Sequence, residues 1–292
     1  MSVFRVTAPA KINLTLEVLR RREDGYHEIA SIIQTIGLFD VLMFESSDLL
    51  TFSCDIKGLS NNSNIVFKAA HLLRQVAGYS MGADIRLKKG VPVGAGLGGG
   101  SSDAASTLKA LNELWCLGMT IDELSSLAIQ LGSDVPFFLH GGTAMVSGIG
   151  DVIRRLPSAV PKWILLCCPD IKIPDKTKTM YSKLSTDSYT GGLITRKLES
   201  RIRNGGDMPG ELMFNVFDEV AVTNFIELQE YRKKLYMLGL SEIHVAGSGP
   251  SFFVPLPSEK AGVRLKSLLG NQEDWEVFLL PIWTSSGEHE LL

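Results

Sequence analysis

The chain has 292 residues, 45% hydrophobic and 21% charged, a balance typical of globular proteins and unlike disordered, collagen-like or membrane-spanning chains. Its 29 lysines and arginines face 32 aspartates and glutamates for a formal net charge of −3, so nothing attracts nucleic acid or an anionic membrane globally, and any phosphate must be held locally. No apolar run approaches the length of a membrane span, and Met1 to Arg5 lacks the features of a secretory leader, which points to a cytoplasmic protein.

In chain order, Val3 to about Phe52 is rich in β-branched residues with short alternating runs such as Ile12, Leu14, Leu16 and Val18, broken by a turn at Glu23-Asp24-Gly25; this predicts antiparallel strands. A helical stripe (Ile65, Ala69, Leu72, Leu73, Val76) spans Asn64 to Val76, and Ala83 to Leu87 returns to strand. The loop Gly90 to Gly100 holds six glycines and a proline and runs into Ala104, Ala105, Leu108, Leu111 and Trp115 at helical spacing. Thr120 and Glu123 form a capping box for a helix ending near Gly132. Strands are expected at Ala144 to Ser147 and Trp163 to Cys168, with a seam between Pro157 and Pro161 that divides the chain into domains 1–157 and 158–292. Beyond it, helical patterns cover Lys176 to Leu184, Leu193 to Arg203, Leu212 to Val222 and Glu227 to Leu238. Strands are expected at Ile243 to Ala246, Phe252 to Val254 and Val277 to Leu280. Strands and helices mixed without regular βαβ alternation indicate an α+β fold. Cys54, Cys116, Cys167 and Cys168 form no Cys-x-x-Cys pair and read as buried thiols, and the five histidines lack metal-ligand spacing, arguing against a protein-built zinc centre.

The most informative stretch is Pro92-Val93-Gly94-Ala95-Gly96-Leu97-Gly98-Gly99-Gly100-Ser101-Ser102-Asp103. Without Cβ atoms its backbone N–H groups can approach an anion, and the following helix adds unsatisfied amides and a positive dipole end. Ser101 and Ser102 can cap that helix or touch a phosphate or its Mg²⁺ ion. Gly94, Gly96 and Gly99 satisfy the dinucleotide pattern G-x-G-x-x-G, but Lys88 to Pro92 stands where an apolar strand should run into the first glycine. The Gly-Lys-Ser/Thr of a Walker loop occurs nowhere. A ligand-free flexible loop is the bland alternative, weighed against the backbone entropy such a loop costs.

This motif resembles the ATP-binding motif of the GHMP kinases. Ala8-Pro9-Ala10-Lys11-Ile12-Asn13-Leu14 is similar to that family's first motif, and Ala246-Gly247-Ser248-Gly249-Pro250-Ser251 to its third, with Phe252 following where a smaller residue is common. Within the family, Asp24-Gly25-Tyr26-His27-Glu28, Ser31 to Gln34 and Leu131 to Phe138 resemble the branch that phosphorylates a cytidine diphosphate-linked methylerythritol in the non-mevalonate route to isoprenoid precursors. The resemblance implies a two-domain fold, with an N-terminal ribosomal-protein-S5-like ATP-binding domain and a C-terminal ferredoxin-like α/β sandwich. It implies ATP and Mg²⁺ as cofactors, a small-molecule substrate carrying cytidine diphosphate, no nucleic-acid or membrane partner, and a monomer or weak homodimer.

Phosphoryl transfer needs an attacking hydroxyl held in line, an acceptor for its proton and positive charge over the γ-phosphate. The resemblance puts Asp134 in the acceptor role. A carboxylate is a weak base toward an alcohol, so it orients the hydroxyl and takes the proton late. Lys11 would stabilise the phosphoryl oxygens. Asp134 could instead be a helix cap and Lys11 a solvated lysine. Asn13 could bind substrate or its own backbone. Tyr26 and His27 would hold the cytosine, one ring stacking and its neighbour bonding the base edge, against a tyrosine packed on a glycine turn and a solvent-facing histidine. Asn64 matches a position near adenine and equally an N-cap; Thr177 a substrate-side position and equally a cap. Lys88 reads as solvated. A kinase for homoserine, mevalonate or phosphomevalonate, a silent nucleotide-binding protein, and a dehydrogenase are the rival functions.

Overall fold

The computed structural model describes residues 3–158, 163–270 and 274–284, and the backbone of 289–291. Pro161, at the far side of the expected seam, and Met1 and Ser2 lie outside the described residues. The elements run β1 (Phe4–Arg21), β2 (His27–Ser47), β3 (Thr51–Cys54), α1 (Ile65–Ala77), β4 (Gly82–Lys88), α2 (Gly99–Leu114), α3 (Ile121–Leu131), α4 (Val135–His140), β5 (Thr143–Gly148) and β6 (Val152–Arg155). After the seam come β7 (Trp163–Pro169), α5 (Lys176–Ser182), α6 (Leu193–Arg203), β8 (Phe214–Asn215), α7 (Phe217–Asn224), α8 (Ile226–Met237), β9 (His244–Val245), β10 (Phe252–Leu256), α9 (Glu259–Leu269), β11 (Trp275–Pro281) and β12 (His289–Leu291). Among the described residues no helix is long and apolar enough to cross a membrane.

An eight-stranded sheet has the order β12-β1-β2-β4-β3, with β5 and β8 added on β2 and β1 and β6 on β5; a four-stranded antiparallel sheet has the order β11-β7-β10-β9. The fold is α+β. The long hairpin β1–β2 ties it together. Its even-numbered residues feed three cores in succession: Phe4, Val6 and Ala8 the first, Ala10, Ile12 and Leu14 the second, Leu16 and Val18 the third. Pairing with β2 shifts register between Pro9 and Ala10 and again between Asn13 and Thr15, at the two changeovers. A bulge bends and twists a strand, so one strand can serve cores that do not lie in one plane. The second core joins Ile12 to Ile164, Phe253 and Leu280, so residues on either side of the seam share it, and β8 and β12 from the second half pair with β1.

The odd-numbered residues Lys11, Asn13, Thr15 and Glu17 are also buried. A polar row inside must find partners. Asn13 Nδ2 donates to Ser31 Oγ at 2.8 Å, the Ser31 hydroxyl donates to the Thr15 carbonyl at 2.5 Å, and the Thr195 amide donates to Glu17 Oε2 at 2.7 Å. Helix α2, buried almost all round from Ser102 to Leu111, packs as the central helix of the first half because Ala104, Ala105 and Ser106 are small. Asn64 caps α1 through the Val66 amide, and the Thr120–Glu123 capping box starts α3.

Two expectations are corrected. Leu212 to Val222 is a 3₁₀ turn, strand β8 and helix α7 in place of one helix. The side chain of Asn215 explains it: it donates to the Val245 and Gly247 carbonyls at 2.8 Å each and accepts from the Phe217 amide, so tertiary hydrogen bonds override the helical period. Of the cysteines, Cys167 and Cys168 are buried, whereas Cys54 is half-buried and Cys116 exposed.

Candidate active site

One cavity of 1370 Å³ runs from the glycine loop to the tip of the β1–β2 hairpin. A single small ligand takes roughly 300–1,000 Å³, so the space suits two ligands side by side. Every site residue singled out from the sequence lines it except Ser102.

The glycine-loop end is built from backbone. Asp40 Oδ1 accepts from the amides of Gly90 and Val91 at 2.7 and 2.8 Å and fixes the loop's entrance, while Lys89 bridges Asp40 to Asp103 beneath it. Burial pushes the Asp103 carboxyl well above its ordinary range, with Lys89 opposing and Asp40 reinforcing the shift. Burial disfavours the Lys89 charge, but Asp103 and Asp40 outweigh it and hold its pKa above the usual lysine value. The Lys11 amide donates to the Leu97 carbonyl at 2.9 Å and ties the loop to β1. Gly96 has φ +88°, and a Cβ there would sit 2.2 Å from the Ala246 carbonyl oxygen, so only glycine lets the first loop and the third motif touch.

Helix α2 starts one turn earlier than its serines suggest. Gly98, at φ 72°, is the N-cap, and no side chain caps it. Ser101 and Ser102 are therefore inside the first turn, a correction of their capping role. The amides of Gly99, Gly100 and Ser101 have no acceptor within the helix and face the dipole's positive end, a ready anion site. Ser102 is fully buried, its Oγ without a partner, and its amide bonds the Gly98 carbonyl at 2.9 Å. Lys88 is exposed and outside the cavity, and the residue beside it, Lys89, is the buried one.

Beyond the loop, Lys11 Nζ lies 3.6 Å from Asp134 Oδ2, with 6% of the lysine side chain exposed and 39% of the aspartate's. Asp134 stands at the N-cap of α4 but makes no cap hydrogen bond, so the carboxylate is turned to Lys11. The Asn13 side chain turns to other side chains and not to its own backbone: its Oδ1 accepts from Lys11 Nζ at 2.8 Å and holds the ammonium in place. Asn64 is engaged at both ends of its amide, accepting from Val66 N and donating to the Leu59 carbonyl at 3.0 Å, which is the N-cap arrangement, and its side of α1 still faces the cavity.

At the hairpin tip the Asp24 carboxylate accepts from the Tyr26 amide and shapes the turn. Tyr26 is 63% exposed, an open aromatic face. The His27 ring lies 5.0 Å from Tyr181 and 6.1 Å from Tyr189. Burial, aided by the nearby Arg21 charge, lowers the His27 pKa, so the ring is neutral near pH 7 and can donate from one nitrogen and accept at the other. Thr177 Oγ1 and Ser248 Oγ are 3.2 Å apart and join α5 to the third motif.

Sequence reading missed Asp40, Lys89, Lys176, Tyr181 and Tyr189. They come from elements distant in the chain, and none sits in a motif. Among the described residues no three His, Cys, Asp or Glu side chains form a metal-binding group.

Residues 64–142 match the GHMP kinases N terminal domain. A 4-diphosphocytidyl-2-C-methyl-D-erythritol kinase of Dehalococcoides mccartyi is 41% identical over 264 residues, 90% of this chain and 93% of the relative. One of Listeria monocytogenes is 36% identical over 98% of this chain and 97% of its own length. Among solved structures, a 4-(cytidine 5'-diphospho)-2C-methyl-D-erythritol kinase superimposes with a TM-score of 0.81 at 33% identity, covering 94% of this chain and 98% of that one. A homoserine kinase from Cytophaga hutchinsonii reaches 0.75 at 17% identity, a likeness of fold alone.

Proposed function

The chain belongs to the 4-diphosphocytidyl-2-C-methyl-D-erythritol kinases of the GHMP kinase family, and from that premise we propose that Lys11 and Asp134 carry out the transfer of the ATP γ-phosphate to the substrate's 2-hydroxyl. The enzyme is an ATP-dependent kinase of the non-mevalonate isoprenoid precursor pathway. The single observation that carries the residue assignment is the Lys11–Asp134 pair at 3.6 Å, in the cavity that also holds the glycine loop and Tyr26.

In this reading the triphosphate lies on the amides of Gly99, Gly100 and Ser101, with adenine toward the Asn64 side. The acceptor hydroxyl sits against Asp134. As its oxygen bonds to the γ-phosphorus and the bond to the ADP oxygen breaks, the hydroxyl proton passes to the Asp134 carboxylate and ADP leaves. Lys11, buried and held by Asn13, places its charge where the transferred phosphoryl oxygens accumulate it, and no side-chain rearrangement is needed at that moment. Tyr26 stacks on the cytosine and His27 bonds its edge, while Tyr181 and Tyr189 support the His27 ring. The exposed tyrosine face favours a pyrimidine-bearing substrate over homoserine or mevalonate, which have no flat surface to cover it.

Magnesium fits this site through a small number of oxygens, since in kinases it keeps phosphate and water ligands and takes only one or two protein groups. The Ser101 hydroxyl, at the cavity wall, would hold it, which leaves the Asp134 carboxylate free for the hydroxyl proton. Bound there it would neutralise charge on the β- and γ-phosphates.

The test is steady-state phosphate transfer from ATP to the cytidine diphosphate-linked methylerythritol, set beside mevalonate and homoserine. Turnover of the first alone is expected. Turnover of either of the others, with no inhibition by millimolar cytidine nucleotides, would overturn the assignment of Tyr26 and His27.

A further inference from the structure

We propose that Lys176 is a positioning residue for the nucleotide, its ammonium stitching the first glycine loop to the third glycine turn so that the two form one anion cradle. The inference rests on the glycine loop being the phosphate site.

Lys176 opens α5, in the second half of the chain. Its Nζ donates to the Gly94 carbonyl at 3.1 Å and to the Gly249 carbonyl. Those carbonyls belong to the two glycine motifs, which also meet directly where the Ser251 amide approaches the Ala95 carbonyl at 3.4 Å and where a Cβ on Gly96 would lie 2.6 Å from the Gly249 oxygen. Two carbonyl dipoles turned toward one point repel each other, and they repel a polyphosphate more strongly. An ammonium between them satisfies both and reverses the sign of the local potential. The lysine is aimed by its surroundings: Asp175 before it has φ 43°, and Thr177 after it bonds Ser248 of the third turn. Neither contact is readable from the motifs, because Lys176 lies outside all three.

The same geometry makes the clamp sensitive to alkali. Burial, followed by the charge of Lys11 and opposed by that of Asp134, pushes the Lys176 pKa down to about 8. The charged form exists below that value and is lost as pH rises through it. The ionisable groups around Lys176 are Lys11 on β1, Asp134 ahead of α4, and Asp175, Lys178 and Tyr181 on its own segment. Tyr181, pushed up to about 12 by burial and by Asp134, titrates outside the window.

The experiment is ADP binding by calorimetry at pH 7 and pH 9.5 for the wild-type protein, Lys176→Met and Lys176→Arg, with folding checked by circular dichroism. ADP reports on the cradle without needing the acceptor. Loss of a charge-assisted contact predicts that K176M binds ADP roughly tenfold more weakly at pH 7 and changes little with pH. The wild type should weaken across pH 8. K176R, which keeps its charge, should bind at pH 9.5 as it does at pH 7. Equal ADP affinity in folded K176M and wild type overturns the clamp while leaving the kinase reading intact; no ADP binding by the wild type removes both. Should K176M fail to fold, K176R decides, because alkaline weakening that persists in it assigns the titration to another group.

Discussion

The two ends of the cavity are built by different means. At the glycine loop the groups offered to the proposed nucleotide are main-chain amides, set by Gly96 and Gly98 and braced from below by the buried Asp40–Lys89–Asp103 cluster. At the hairpin tip they are side chains, with Tyr26 largely in solvent and His27 resting on Tyr181 and Tyr189. A backbone site tolerates little change where it is tightly packed, since a Cβ on Gly96 or Gly98 would meet the Ala246 carbonyl or the Phe138 ring. A side-chain site can be trimmed one group at a time. Asp134 and Lys11 stand between the two, so substitutions at the three places should separate chemistry, nucleotide binding and acceptor binding.

The largest effect is expected midway. Asp134→Ala removes the proposed proton acceptor and hydroxyl anchor and should lower kcat by about 10³-fold or more, while ADP affinity stays within a few-fold of wild type. Single-turnover kinetics beside ADP titration measure the two quantities. Normal turnover would move the acceptor to another residue.

Next comes the backbone end. Gly96→Val puts a branched side chain at positive φ and against the Ala246 and Gly249 carbonyls, which must part to admit it. ADP affinity should fall by about a hundredfold, equivalent to roughly 2.7 kcal/mol, with helical circular dichroism retained. An undiminished affinity in the folded variant would mean that phosphates bind elsewhere.

At the side-chain end, Tyr26→Ala should weaken the cytidine-bearing acceptor by about 1–3 kcal/mol, one base–aromatic stack, and leave ADP binding unchanged. Tyr26→Phe keeps the ring and should be mild. If Phe loses as much as Ala, the hydroxyl is the contact and stacking is not. The smallest effect belongs to a residue whose side chain is engaged in structure: Asn64→Ala should cost about 1 kcal/mol of stability through the lost cap of α1, visible as a lower Tm. A change in ADP affinity far beyond the stability loss would give Asn64 a direct contact with the nucleotide.

Local periodicity and motif chemistry were legible in the sequence where the forces are local. The helix Leu193–Arg203 and the Thr120–Glu123 capping box are read directly from spacing, since i to i+4 stripes and caps depend on neighbouring residues. The glycine loop, Lys11, Asp134, Tyr26 and His27 stood out for the same reason, each within a short motif. Tertiary structure decided what depends on partners distant in the chain. It broke the expected Leu212 to Val222 helix, because the Asn215 side chain bonds the Val245 and Gly247 carbonyls. It brought Asn13 to Lys11, whose ammonium the amide oxygen holds, and it buried Ser102, because the helix begins at Gly98 and not at a serine. It brought Asp40 and Asp103 to Lys89, Tyr181 and Tyr189 to His27, and Lys176 to two glycine turns. Sequence encodes those meetings only through the packing of the β1–β2 hairpin against three cores, and no window of neighbouring residues contains that information.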